Sequence, residues 1–161
     1  MELTLNKETK TVSIKREFTA GRDLVWEAWT NPEILDKWWA PAPFQSQTKS
    51  MDFKVGGRRF YAMISPEGNQ SWSAHDFTSI NPKDNFSFLS SFTDENGNPN
   101  SGFGASDWNV NFNGQDETTT VNITIKRDSY EELEKIIAMG FKEGFKTALE
   151  NLDQYFLSLK K

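Results

Sequence analysis

DSYEELEKIIAMGFKEGFKTALENLDQYFLSL, residues 128–159, is the stretch from which the fold can be read. A period of 3.6 gathers Tyr130, Leu133, Ile137, Phe141, Phe145, Ala148, Leu152, Tyr155, Phe156 and Leu159 into one apolar stripe. Asp128 or Ser129 can cap the start, and Glu131, Glu132 and Glu134 suit the positive end of a helix dipole. The spacing predicts one helix from Asp128 to Leu159. At 1.5 Å per residue, roughly thirty residues span about 45 Å. A rod of that length, apolar along one side, needs a broad partner surface.

The preceding sequence supplies one. Residues 11–19 alternate, with Val12, Ile14 and Phe18 on one face, as a half-buried strand does. After Ala20-Gly21, RDLVWEAW has helical spacing. Asn31-Pro32-Glu33 then starts a second short helix, with Asn as cap and Pro at the first helical position; it ends at Trp38-Trp39, before Pro41-Ala42-Pro43. From residue 46 to 127 a β-meander is expected. Met51, Phe53 and Val55 alternate up to a turn at Gly56-Gly57, and strands follow over Arg58–Ile64, Ser71–Ile80 and Asn85–Thr93. Asp94 to Gly104 is a polar loop. Trp108, Val110 and Phe112 mark the next strand, Asn113-Gly114 a hairpin, and Val121, Ile123 and Ile125 the last strand.

The expected architecture is therefore α+β: a curved antiparallel sheet of six or seven strands wrapped around a long C-terminal helix, with two short helices after the first strand. Its 161 residues fit a single domain, 1–161. The net charge of −5 argues against nucleic acid and anionic membrane surfaces as partners. No apolar run suits export or a membrane span, so a cytoplasmic location is the default expectation. The absence of cysteine excludes disulfides and thiolate metal sites, and one histidine cannot build a histidine metal cluster. No metal or cofactor is expected.

Aromatic residues make up 14% of the chain, and that much ring surface must line a core, a pocket or an interface. A straight helix cannot touch every strand of a curved sheet, so large side chains fill the gap or a pocket remains. Gly140 and Gly144 each cost about 1 kcal/mol relative to Ala inside a helix. One reading is that side chains are missing where a ligand fits; the other is a bend, or a ring pressed into the notch. Gly144 lies within the stripe and Gly140 at its edge, so Gly144 is the pocket candidate. Ile136 and Met139 point away from the stripe, either under loops or toward a protein partner or a second copy of the chain.

Candidate polar groups are few. His75, if on the concave face, could bond a ligand or act as acid or base; a satisfied core histidine is the plainer reading. Arg16 shares the inward face of the first strand. An inward arginine needs a partner, because its charge is not readily discharged. That partner is Glu134 or a ligand group, unless the arginine forms an internal ion pair or snorkels at the sheet edge. Trp38-Trp39 with Pro41 and Pro43 make an aromatic corner, so Trp39 is either an entrance wall or a plug. Arg58-Arg59 reads most simply as a solvated turn. No GxGxxG, P-loop, GxSxG or HExxH is present.

Five segments together resemble a known family. They are SIKREFTAGRDLVWEAWTNPEILDKWWAP from Ser13, VGGRRF from Val55, INPKDNFSF from Ile80, TDENGN from Thr93 and GFKEGFKTALENLDQYF from Gly140. In this order they are similar to homologues of the activator of the heat-shock-protein-90 ATPase, within the SRPBCC superfamily that includes START lipid-transfer domains and the birch-pollen-allergen fold. The resemblance implies a helix-grip fold with an internal cavity. Members of the superfamily include lipid carriers, hormone binders and polyketide cyclases. The expected function is binding or carriage of a small apolar or aromatic ligand with one polar handle. Its expected walls are Phe60, Phe88, Trp108, Phe141, Gly144 and Phe145, with Trp39, Arg16 and His75 nearby. The alternatives are an enzyme of the cyclase or hydrolase sort, using Arg16, His75 or Tyr61, and a co-chaperone-like interaction module. The heat-shock activator has a further N-terminal domain for which 161 residues leave no room, which counts against the last.

Overall fold

The computed structural model describes residues 1–40, 43–100 and 104–159. Its strands are β1 (Glu2–Asn6), β2 (Thr11–Phe18), β3 (Gln45–Met51), β4 (Arg58–Ile64), β5 (Gln70–Asn81), β6 (Asn85–Thr93), β7 (Ala105–Gln115) and β8 (Thr118–Lys126). They form one antiparallel sheet in the order β1-β2-β8-β7-β6-β5-β4-β3. Helices α1 (Arg22–Thr30) and α2 (Pro32–Trp38) follow β2, and α3 (Tyr130–Ala138) and α4 (Phe141–Ser158) close the described chain. The expected α+β class, with a helix held by a curved antiparallel sheet, is the fold observed.

Local chemistry explains most of these elements. In β8 every second residue, Thr119, Val121, Ile123 and Ile125, is buried. Asn31 caps α2, its side chain accepting a hydrogen bond from the Glu33 N–H at 2.9 Å, with Pro32 in the first turn. Register shifts at Thr48/Ser50 and Phe77/Ser79 interrupt the ladders, and such bulges bend a strand. The core then lies between the concave face and α1, α2 and α4. Phe145, Ala148, Leu149, Leu152 and Phe156 are the buried face of α4.

Four details depart from the sequence reading. An eighth strand, β1, pairs along β2; its ELTLN sequence has no fully buried face to announce it. β3 ends at Met51, so Phe53 and Val55 lie in the turn region and Val55 is exposed. The β7–β8 hairpin turns at Asp116-Glu117, with Asp116 at φ 56°, three residues further along than the expected Asn113-Gly114. Gly114 has a different reason to be glycine: a Cβ there would lie 2.7 Å from Cβ of Arg22.

The fourth departure bears on function. The expected single helix is broken at Gly140, which adopts φ 95°. Its N–H bonds the Ile137 carbonyl at 3.1 Å, and its own carbonyl starts α4 by accepting from the Gly144 N–H at 3.0 Å. A glycine in this left-handed conformation just past the last turn is a common helix stop. The bend, not the missing side chain, accounts for Gly140. Gly140→Ala should therefore lose about 1–2 kcal/mol through backbone strain alone, since apart from its chain neighbours nothing lies within 4 Å of the added Cβ. Urea unfolding would show this as a lower midpoint with an unchanged slope.

Candidate functional site

Strand register sorts the candidate residues onto two faces. Arg59 pairs with His75 and Tyr61 with Ser73 between β4 and β5, and His75 pairs with Ser90 in β6. Arg59, Tyr61 and His75 face the helices. Phe60, one residue out of phase, lies on the outer face and stacks on Trp72 at 4.8 Å, with the Lys49 ammonium 5.7 Å from its ring. Phe60 is thus no part of the interior.

Rings fill that interior. Phe141 and Phe145, on the first turns of α4, stack on each other at 5.4 Å and meet Trp108 edge-on at 6.2 and 5.7 Å. Trp108 stacks on Phe88 at 5.4 Å, and Phe88 on His75 at 4.2 Å. Trp39, at the end of α2, touches Trp108, Phe145 and His75 at 5.8, 6.1 and 5.2 Å. The structure therefore brings together Trp39, His75, Phe88, Trp108, Phe141 and Phe145. Gly144 is half-buried in the first turn of α4 and does not line the internal cavity.

That cavity has a volume of about 10 Å³, bounded by Trp29, Trp39, Arg59, His75, Phe86 and Phe88 among others. This is room for about one water molecule. A larger recess, about 640 Å³, lies on the opposite face of the sheet against Lys15, Glu17, Asp116 and Asn122, and it is polar and open.

The polar centre is Arg59, which the sequence reading placed in a solvated turn. Its side chain has 0% exposure. Nη2 donates to Ser46 Oγ at 3.1 Å and to Asp36 Oδ1 at 3.4 Å, and Nε donates to Thr48 Oγ1 at 3.2 Å. Asp36, on α2, also accepts from Ser46 Oγ and from the backbone and hydroxyl of Thr48 at 2.7–2.9 Å. The guanidinium lies 4.0 Å from the Tyr61 ring centroid and 5.6 Å from that of Trp39, and both contacts favour the cation. Burial still pulls the Arg59 pKa below its ordinary value, with Tyr61 and Asp36 opposing.

Tyr61 accepts from Trp39 Nε1 at 3.0 Å and lies 3.3 Å from His75 Nε2. Burial raises the phenol's pKa. Burial, then the Arg59 charge, holds His75 well below 6.5. Tyr61 and His75 therefore stay neutral near pH 7, and His75 is a poor catch for protons in this fold. The consequence for stability has a definite sign. The unfolded chain takes up a proton on His75 below about pH 6.5 while the folded chain does not. Stability is thus full above that pH and falls as the pH drops below about 6.5, by up to about 1.4 kcal/mol per unit. His75→Phe should flatten urea midpoints measured across this window; an unchanged slope would contradict the assignment.

Arg16 has a structural role. It pairs with Asp153 on α4, donates to the Glu17 carbonyl at 2.7 Å, and lies over the Phe18 ring at 5.0 Å. Its partner is Asp153 rather than Glu134, which is exposed. Met139 is 78% exposed and Ile136 half-buried. In the aromatic corner, Trp38 is fully buried and Trp39 nearly so; Pro41 lies outside the described residues.

The comparisons with known proteins agree with this geometry. Residues 19–157 match the family model described as activator of Hsp90 ATPase homolog 1-like protein. The chain belongs to that family. No curated protein matches it. Among solved structures, this member of the activator-homologue family is similar to protein Ms6760 from Mycobacterium smegmatis, with 27% identity, a TM-score of 0.90, and 99% and 98% of the two chains covered. It is also similar to a protein from Arthrobacter aurescens, at 30% identity and TM-score 0.88, covering 94% of this chain and 88% of that one. A protein from Nitrosomonas europaea shares the fold at 23% identity and TM-score 0.82, over 94% and 97% of the chains.

Proposed function

We propose that this family member binds a small apolar or aromatic molecule between sheet and C-terminal helix, in the space now held by Phe141 and Phe145. The observation that supports this is the break at Gly140 beside those two rings. It separates α4, which buries five residues, from α3, whose only fully buried residue is Leu133. The first turns of α4, joined through this glycine to a short and lightly buried helix, can open locally at small cost. Outward movement of Phe141 and Phe145 would uncover Trp108, Phe88 and Trp39 as apolar walls. Burying ligand area at about 25 cal/mol per Å² would offset the lost ring contacts.

Native mass spectrometry of the protein as purified from cells tests this reading. A retained small molecule that lowers hydrogen exchange in α3 supports it; a ligand that binds without protecting α3 or the start of α4 argues against the hinge.

A second reading has its own support: the interior is almost full, and the family description points to a chaperone ATPase. In it the protein acts through its surface, where Met139, just past α3, and Leu157 and Leu159, at the end of α4, are exposed. It predicts co-purification with a heat-shock ATPase and stimulation of ATP turnover, and neither outcome is needed for ligand binding. The cyclase- or hydrolase-type reading gains little, because His75 is 4% exposed and bracketed by Phe88, Trp39 and Tyr61.

A further inference from the structure

Two residues that line the same small cavity each carry a buried N–H donor without a partner. Arg59 Nη1 and Trp29 Nε1 each have no hydrogen-bond partner among the described residues, and both side chains line the cavity of about 10 Å³. Trp29 is 2% exposed and Arg59 0%. An unpaired buried donor forfeits its hydration, and two around one cavity call for a shared acceptor.

The charge balance says what kind of acceptor fits. Asp36 is the carboxylate facing Arg59, yet its contact with the guanidinium, at 3.4 Å, is longer than its three bonds to Ser46 and Thr48. Asp36 is also 27% exposed, so solvent shares its charge, while the guanidinium is sealed. Of the remaining lining residues, Leu35, Met51, Phe77, Phe86 and Phe88 are apolar, Trp39 gives its N–H to Tyr61, and His75 has Nε2 against the Tyr61 hydroxyl. A water molecule there would accept readily from both N–H groups but find few acceptors for its own hydrogens. An anion has no hydrogens to place and is attracted by the under-compensated charge.

We infer that the cavity between Arg59 and Trp29 is an internal site for a small anion, a single halide ion that accepts from Arg59 Nη1 and Trp29 Nε1. The site lies behind Trp39 and does not depend on the movement of Phe141 and Phe145.

The test is thermal unfolding of the whole protein in sodium chloride, bromide or acetate, compared with sodium gluconate at equal ionic strength. A saturable rise in melting temperature is expected with chloride and bromide, and none with acetate, which is too large for the cavity. Trp29→Phe keeps an aromatic ring, though a smaller one, and removes the N–H, and should lose most of that rise. No anion-specific rise, or an equal rise in Trp29→Phe, would overturn the site. Should Trp29→Phe not fold, crystals of the unaltered protein grown in bromide decide the matter. An anomalous peak within hydrogen-bond distance of both donors supports the inference, and its absence there rejects it.

Discussion

Asp36→Ala is expected to destabilise the protein by about 3–5 kcal/mol, whereas Arg59→Met should cost no more than about 1–2 kcal/mol. The asymmetry follows from where the two charges sit. Removing Asp36 leaves a guanidinium of 0% exposure without its counter-charge and frees Ser46 and Thr48 from their shared acceptor. Removing Arg59 leaves Asp36 partly hydrated and still bonded to three donor groups from β3. Methionine fills much of the guanidinium's space, so the main loss is its contact with the Tyr61 and Trp39 rings. Adding Arg59→Met to Asp36→Ala should then restore stability rather than lower it further. Urea midpoints for the two single variants and the double variant measure this coupling directly. Equal losses in the single variants that simply add would mean that Arg59 is effectively solvated.

Phe145→Ala carries the second large effect, in opposite directions for stability and binding. Truncating a buried Phe costs about 3–5 kcal/mol, because the cavity left behind only partly collapses. Phe145 is 7% exposed and packs on Phe141, Trp108 and Trp39, so a value near 3 kcal/mol is expected. The same truncation creates the space that a ligand must otherwise make. The variant should take up a small aromatic probe such as indole more tightly and faster than the unaltered protein. Calorimetric titration and stopped-flow tryptophan fluorescence give the two readouts. A variant that is destabilised yet binds no better would place the binding surface elsewhere.

Much of this fold is legible in the sequence because its elements carry strong local signals. β2 and β8 alternate cleanly, and Asn31-Pro32-Glu33 starts α2 where the structure does. The misreadings come from competing local cues. Asn113-Gly114 is a favoured hairpin pair, but Gly114 serves the close approach of Arg22 and the chain turns later. The helical stripe runs unbroken through Gly140, so periodicity alone conceals the stop; Met139-Gly140 after Lys135 is the signal for it.

The site was harder to read, because its phase is ambiguous. In RRFYAMI both Phe60 and Tyr61 are aromatic, and period-two alternation allows either to face inward. Choosing Phe60 turns Arg59 out to solvent, and choosing Tyr61 buries it. The pairing of Arg59 with His75 decides for Tyr61, and one sequence does not show strand pairing. Arg16 has the opposite history: its inward phase is visible, but its partner Asp153 lies 137 residues away on α4.

The central claim is that the aromatic interior opens for a ligand at the Gly140 hinge. Its most direct test is a crystal structure of the Phe145→Ala variant with indole, solved beside the same variant alone. The account predicts indole against Trp108 and Phe88, with Phe141 shifted outward about Gly140. Indole bound only on the outer face of the sheet, or an interior unchanged at saturating indole, would contradict it.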